Sequence, residues 1–268
     1  MSFRVMGVVN VTPDSFSDGG LYLDSGAAVE HGLMLAADGA KILDIGGEST
    51  RPGASPVGQQ EELRRVIPVI EGLSAALGAD APQISIDTSK SSVARAALDA
   101  GASLVNDVTA LRGDPSLAGL VAERGCECCL MHMLGVPRTM QQDPRYEDVV
   151  GDVKAFLLAR MEFAVGEGIA EDRILLDPGI GFGKTIEHNL QLLRRLGELV
   201  AIGRPVVIGT SRKSFLGRLT GRSDPADRVG GTIATNVIAY ERGASVFRVH
   251  DVAVVHDALL VAAATVAA

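Results

Sequence analysis

The chain has 268 residues, 47% hydrophobic and 22% charged, which is enough apolar material for a large core. Its formal net charge is −8 and it has no Lys/Arg-rich run, so composition speaks against a nucleic-acid surface. No charged segment followed by an apolar stretch marks a signal peptide, and the longest apolar run, 252–268, is broken by His256 and Asp257 and falls short of the roughly 20 residues a membrane span needs.

The first apolar run, 3–9, ends at Asn10. A polar loop, 10–20, follows with Thr12, Asp14, Ser15, Phe16, Ser17 and Asp18 before a Gly-Gly exit. A loop of that length at a strand end, with two carboxylates and three hydroxyls, suits a hard cation and a polar ligand. After a helix start at Asp24-Ser25, a second run, 41–46, leads into ESTRPGA at 48–54. Between 59 and 77, Leu63, Val66, Ile67, Ile70, Leu73 and Leu77 recur at helical spacing, and Pro68 predicts a bend there. The third run, 83–88, ends in SIDTSK, with a helix start at Ser89; the fourth, 103–107, carries VNDV and is followed by a start at Asp114-Pro115. The fifth, 126–132, holds Cys126, Cys128 and Cys129, too closely spaced for one zinc ion or a disulfide framework, so they read as buried thiols in a reducing compartment. It opens LMHMLGVPRTMQQ from His132, whose methionines either line an apolar slot or fill core gaps. The sixth run, 173–177, enters DPGIGFGK, whose GFGK lacks the Walker spacing. The seventh, 205–210, enters SRKSFLG, with a later start at Asp224-Pro225. The eighth, 245–250, carries Arg248 and His250 before an Ala-rich terminal helix.

Eight apolar runs alternating with eight helical stretches predict an α/β fold, a single (β/α)8 TIM barrel over 1–268. A doubly wound sheet is the alternative, but it has fewer strands and a glycine fingerprint after the first. The barrel puts its active site at the C-terminal ends of the strands: Asn10, Asp44 to Glu48, Asp87, Asn106-Asp107, His132, Asp177, Thr210 to Lys213 and His250. Any one of these could merely cap a helix or tie a loop, Asp177 before Pro178 and Asp87 before Ser89 above all; eight converging on one mouth are harder to explain that way. Asp87, Asn106 and Asp177 form a set for a flat heterocycle, carboxylates accepting paired N–H donors and an amide doing both. Arg212, Lys213 and Ser214 read as an anion-binding turn or as a solvated basic one. Arg248 and His250 share the inward face of the eighth strand, where a cation needs an anion; with Lys213 they read as a polyanion pocket.

NVTPDSFSDGG, GGESTRPGA, SIDTSK, VNDV, LMHMLGVPRTMQ, DPGIGFGK, GTSRKSFLG and RVHDV, in this order, resemble the dihydropteroate synthases, a family of pterin-binding barrels. The resemblance runs from about residue 3 to the final helix and implies an enzyme of folate biosynthesis. Such an enzyme joins 6-hydroxymethyl-7,8-dihydropterin diphosphate to 4-aminobenzoate, releasing diphosphate and 7,8-dihydropteroate. Carried over by position, Asp87, Asn106, Asp177 and Lys213 form the pterin pocket. Asn10, Arg248 and His250 form the diphosphate site, with Asn10 as the Mg2+ ligand. Phe16, Thr50, Arg51, Pro52, Phe182 and Ser214 form the aminobenzoate side, and Asp18 is the carboxylate of a closing loop; Asp18, Asp87, Lys213, Arg248 and His250 are the catalytic set. The resemblance further implies sulfonamides as competitive inhibitors, a homodimer and a cytoplasmic setting, with no nucleic-acid or membrane partner. A corrinoid-type pterin methyltransferase, a Schiff-base aldolase using Lys213 and a non-catalytic pterin-binding paralogue are the rival readings.

Overall fold

A computed structural model describes residues 2–12, 25–50, 53–78 and 81–267. Its eight parallel strands coincide with the eight apolar runs: β1 (Arg4–Asn10), β2 (Ile42–Gly46), β3 (Gln83–Asp87), β4 (Leu104–Asp107), β5 (Glu127–Met131), β6 (Ile174–Asp177), β7 (Val207–Ile208) and β8 (Val246–Val249). They hydrogen-bond in the order β6-β5-β4-β3-β2-β1-β8-β7, and the bridge between Leu176 and Val206 closes the ring. β7 is shorter than its apolar run because Pro205, having no N–H, gives the neighbouring strand only its carbonyl, which accepts from Leu176 at 3.0 Å.

The helices described are α1 (Ser25–Ala37), α2 (Gln59–Ala76), α3 (Ser91–Asp99), α4 (Leu117–Arg124), α5 (Val149–Gly166), α6 (Ile186–Arg194), α7 (Gly197–Val200), α8 (Ser214–Thr220), α9 (Val229–Glu241) and α10 (Val252–Ala267). The expected eight thus become ten: a short α7 follows α6, and α8 precedes α9 between β7 and β8. α2 runs unbroken through Pro68, which sits on its exposed side. The helix start read at Ser89 falls two residues later. Thr88 Oγ1 accepts from Lys90 N at 3.2 Å and Asp114 accepts from Ser91 N at 2.9 Å, so those side chains cap α3. No described helix is long and apolar enough to cross a membrane.

Strand alternation divides the core into two shells. Val5, Val9, Leu43, Ile45, Ile86, Val105, Leu130, Leu176, Ile208 and Phe247 face outward and pack under the helices. Met6, Ile42, Leu104, Cys129, Leu175, Val207 and Val246 form a separate cluster that fills the barrel floor. Each large floor side chain is 1% exposed or less, and burial of that kind contributes about 1.5–3 kcal/mol per residue. Two residues beyond Ile42, Leu104, Cys129, Leu175 and Val246 on the same inward faces stand Asp44, Asn106, Met131, Asp177 and Arg248, and Asp87 follows Ser85 on β3.

Candidate active site

Asp44, wholly buried, is the hub of the mouth. Its Oδ1 accepts from the Ser85 hydroxyl at 2.6 Å, and its Oδ2 accepts from Asn106 Nδ2 at 3.0 Å and from Arg248 Nε at 2.6 Å. Arg248 Nη2 donates to Asp87 Oδ2 at 2.8 Å. One guanidinium therefore joins the ends of β2 and β3 to β8. Its burial opposes its charge, but Asp44 and Asp87 outweigh that and hold it firmly protonated. Burial lifts the Asp87 carboxyl above its usual range, against the pull of Arg248. Because Asn106 turns its Nδ2 toward Asp44 and gives it one N–H, its Oδ1 is left to serve as an acceptor. Asn10, Gly46, Asp87 and Asn106 lie on one register row, so all four close the same rim.

Across the mouth, Asp177 ends β6 and accepts from Gly179 N at 2.6 Å. It thus serves as turn residue and mouth residue together. Burial raises its carboxyl, while Lys213 and the Gly179 amide pull the other way. Gly179 has φ +65°, and a Cβ there would collide with the carbonyl oxygen of His132. Lys213 Nζ lies 4.6 Å above the Phe182 ring and donates to the Ile180 carbonyl; burial pushes it down to about 8.

The loop after β6 is held from beneath. Lys184, 3% exposed, donates to the carbonyls of Gly179 at 2.9 Å and Phe182 at 3.0 Å and meets His132 Nδ1 at 2.9 Å. Burial pushes Lys184 down to about 7. Burial and the neighbouring ammonium push His132 down to about 3, so the imidazole stays neutral and accepts through Nδ1. Gln141 donates to the Gly181 carbonyl, and Tyr146 Oη donates to that of Gly183 at 2.8 Å. The methionines at the end of β5 and beyond it form a packed apolar wall beside the mouth, Met131, Met133 and Met140 clustering with Phe182 and Val108. GFGK is therefore a stapled loop, with its lysine turned inward.

Arg212 does not point to an anion pocket. It sits at φ +57° and donates through Nε to Asp251 at 2.9 Å, with Nη2 on the other oxygen of the same carboxylate. Thr232 Oγ1 accepts from its N–H at 3.1 Å. The pair ties the loop bearing Lys213 and Ser214 to the loop bearing His250. Ser211 Oγ lies 3.0 Å from His250 Nδ1 and accepts from His250 N at 3.1 Å, fixing the ring. Ser214 is exposed at the first residue of α8, and Thr50 is half-buried at the rim. The three thiols are buried and unpaired; burial drives Cys128 up to about 12.

The structure thus joins Asn106 and Arg248 through the Asp44 carboxylate and Asp87 to them through the Arg248 guanidinium, and it gathers Asp177, Lys213 and Phe182 around one loop. Phe16, Asp18, Arg51 and Pro52 lie outside the described residues. The sequence reading placed Asp44 at a strand end without giving it a role. Its inward parity, two residues above Ile42, was the available signal. Lys184 and His132 were likewise present in the motifs but unassigned.

The model of the pterin binding enzyme family matches residues 6–250. Dihydropteroate synthase of Escherichia coli (strain K12) is 45% identical over 265 residues, covering 99% of this chain and 92% of that one. The dihydropteroate synthase of Xanthomonas albilineans, solved with 4-aminobenzoic acid, superposes with a TM-score of 0.93 at 51% identity, covering 100% of this chain and 94% of its own. That of Yersinia pestis, solved as a sulfonamide drug complex, gives 0.93 at 44%, covering 100% and 95%. The chain belongs to the pterin-binding enzyme family and, within it, to the dihydropteroate synthases.

Proposed function

We propose that this barrel mouth condenses 6-hydroxymethyl-7,8-dihydropterin diphosphate with 4-aminobenzoate to give 7,8-dihydropteroate and diphosphate. The observation that carries the reading is the pairing of an acceptor-rich wall, Asp87, Asn106 and Asp177, with half-buried cations at Lys213 and Arg248. Carboxylates meet the amino-pyrimidine edge of a pterin, Asp177 above all, and Asn106 offers its oxygen to a ring N–H. Arg248, His250 and Asn10 take the diphosphate. Phe182, Ser214 and Thr50, with Phe16, Arg51 and Pro52, take the aminobenzoate, Ser214 receiving its carboxylate. Asp18 is the loop carboxylate on that side.

The aniline nitrogen is the nucleophile, so no side chain need form a covalent bond. The bond from the pterin methylene to the diphosphate oxygen breaks first. Its electrons leave with diphosphate, whose growing charge is met by Arg248 and His250. The cation left on the methylene is shared with the pterin ring and faced by Asp87. The new C–N bond then forms and the amine loses one proton to solvent. Among the described residues no three His, Cys, Asp or Glu side chains are grouped to hold a metal. That donor set suits an ion arriving on the diphosphate, with Asn10 adding one amide oxygen, since Mg2+ is commonly held by few protein oxygens plus substrate phosphate. Bound there, Mg2+ would neutralise leaving-group charge.

The same aminobenzoate side is the place for competitive sulfonamides, a reading supported by the drug complex of the Yersinia pestis relative. Exposed Val254, Leu260 and Val261 on α10 support a homodimer, and three unpaired thiols support a cytoplasmic setting. The test is diphosphate release with and without 4-aminobenzoate, for wild type and Asp177→Ala. We expect aminobenzoate-dependent release by wild type and none by the variant, with calorimetric binding of the pterin diphosphate lost. Unchanged affinity in Asp177→Ala would overturn the pterin assignment.

A further inference from the structure

Outside the substrate-facing groups, one ionic cluster stands beside the mouth. Lys90 lies three residues beyond Asp87, its backbone N–H bonded to Thr88 Oγ1 at 3.2 Å. Its Nζ is 2.5 Å from Glu48 Oε2 on the loop after β2 and 2.5 Å from Glu62 Oε2 on α2. Glu48 turns its other oxygen to Val57 N at 3.2 Å, joining the two stems of the loop that carries Thr50. Arg65 of α2 adds a hydrogen bond to the Gly47 carbonyl at 2.8 Å, and a Cβ on Gly47 would press into Val66 and Glu62. Glu62 is wholly buried, and its Oε1 meets no hydrogen-bond partner.

For stability alone this is a poor arrangement. Two carboxylates and an ammonium taken largely out of water lose hydration that their attraction barely restores, and apolar side chains of similar volume are often as stable or better. What an ion triad adds is a fixed geometry. Here it fixes the β2 loop against the end of β3, which ends in Asp87.

We propose that Lys90 is a positioning residue: by bridging Glu48 to Glu62 it sets the β2 loop at the distance from the pterin pocket at which aminobenzoate meets the methylene. The inference rests on the reading above, in which the β2 loop belongs to the aminobenzoate side. In this inference Lys90 acts through the loop, its Nζ being spent on Glu48 and Glu62. Its loss lets the loop drift, and a small displacement of one reactant weakens its capture while leaving the other bound.

Glu48→Gln keeps the Lys90–Glu62 pair and loosens only the loop, so it decides the matter even if Lys90→Met folds poorly. In purified full-length enzyme, Glu48→Gln and Lys90→Met should each raise the aminobenzoate KM about tenfold. The calorimetric Kd for the pterin diphosphate should stay at the wild-type value, and Lys90→Arg should restore most of the KM. Thr50→Ala serves as the loop control. An unchanged aminobenzoate KM in Glu48→Gln overturns the inference, as does a parallel loss of pterin affinity, the signature of a merely structural role. If Thr50→Ala also leaves that KM unchanged, the assignment of the loop to aminobenzoate has failed as well.

Discussion

The floor and the mouth of this barrel are built from the same inward faces of the same strands. Ile42 is followed two residues later by Asp44, Leu104 by Asn106, Leu175 by Asp177 and Val246 by Arg248. The floor is a closed apolar cluster. The mouth is a set of charges, Asp44 buried and Asp87 and Arg248 half-buried, that satisfy one another. A translation of about 7 Å along a strand thus separates stability from chemistry. Substitutions that act on one level and spare the other are the means to break or sharpen that separation.

The largest effect belongs to Arg248→Ala. In the proposed mechanism it removes the charge that meets the leaving group, and it leaves Asp44 and Asp87 without their guanidinium. We expect kcat/KM to fall about 10²–10³-fold, measured as steady-state diphosphate release; a loss under tenfold would mean that the guanidinium only neutralises its two carboxylates. Leu175→Ala, one level down, should lower unfolding free energy by about 2–5 kcal/mol in urea titrations and leave pterin-diphosphate affinity untouched. Weakened binding in the still-folded variant would show that floor and mouth are coupled.

The smallest effect is carried by pH. The folded-state pKa of Lys184 is lowered to about 7 from an ordinary 10.5. Between those values the unfolded chain holds a proton that the folded chain has shed, so wild-type stability should rise with pH there. Below about 7 both states are protonated and the cost of burying the ammonium is fully present. Against Lys184→Met, wild type should gain about 1.4 kcal/mol per pH unit from pH 7.5 to 9.5 in denaturant titrations. Parallel curves for the two proteins would show that the ammonium remains protonated within its ring of acceptors.

The strands were legible because a barrel strand must be apolar on both faces through its middle, a pattern that survives in a single sequence. Asp177 and Arg248 stood out because each breaks that pattern at a strand end, whereas Lys213 stood out only as part of a basic pair in the loop before α8. Asp44 was harder. It falls inside an apolar run, and only the closed barrel shows that Ser85, Asn106 and Arg248 converge on it from β3, β4 and β8. Arg212 was misleading for a related reason: its partner Asp251 lies 39 positions away, and without it a basic pair reads as an anion site. The extra helices after β6 and β7 escaped because α7 and α8 are too short for their periodicity to register.

The Arg248–Asp44 contact spans 204 positions and the Arg248–Asp87 contact 161. During synthesis both carboxylates leave the ribosome long before their cation. Asp44 and Asp87 therefore lack their guanidinium until β8 pairs with β1. Contacts of such high sequence separation form late and slow the approach to the native state. The charge network of the mouth is consequently complete only when β8 docks: a nascent chain lacking β8 has no cation to join Asp44 to Asp87.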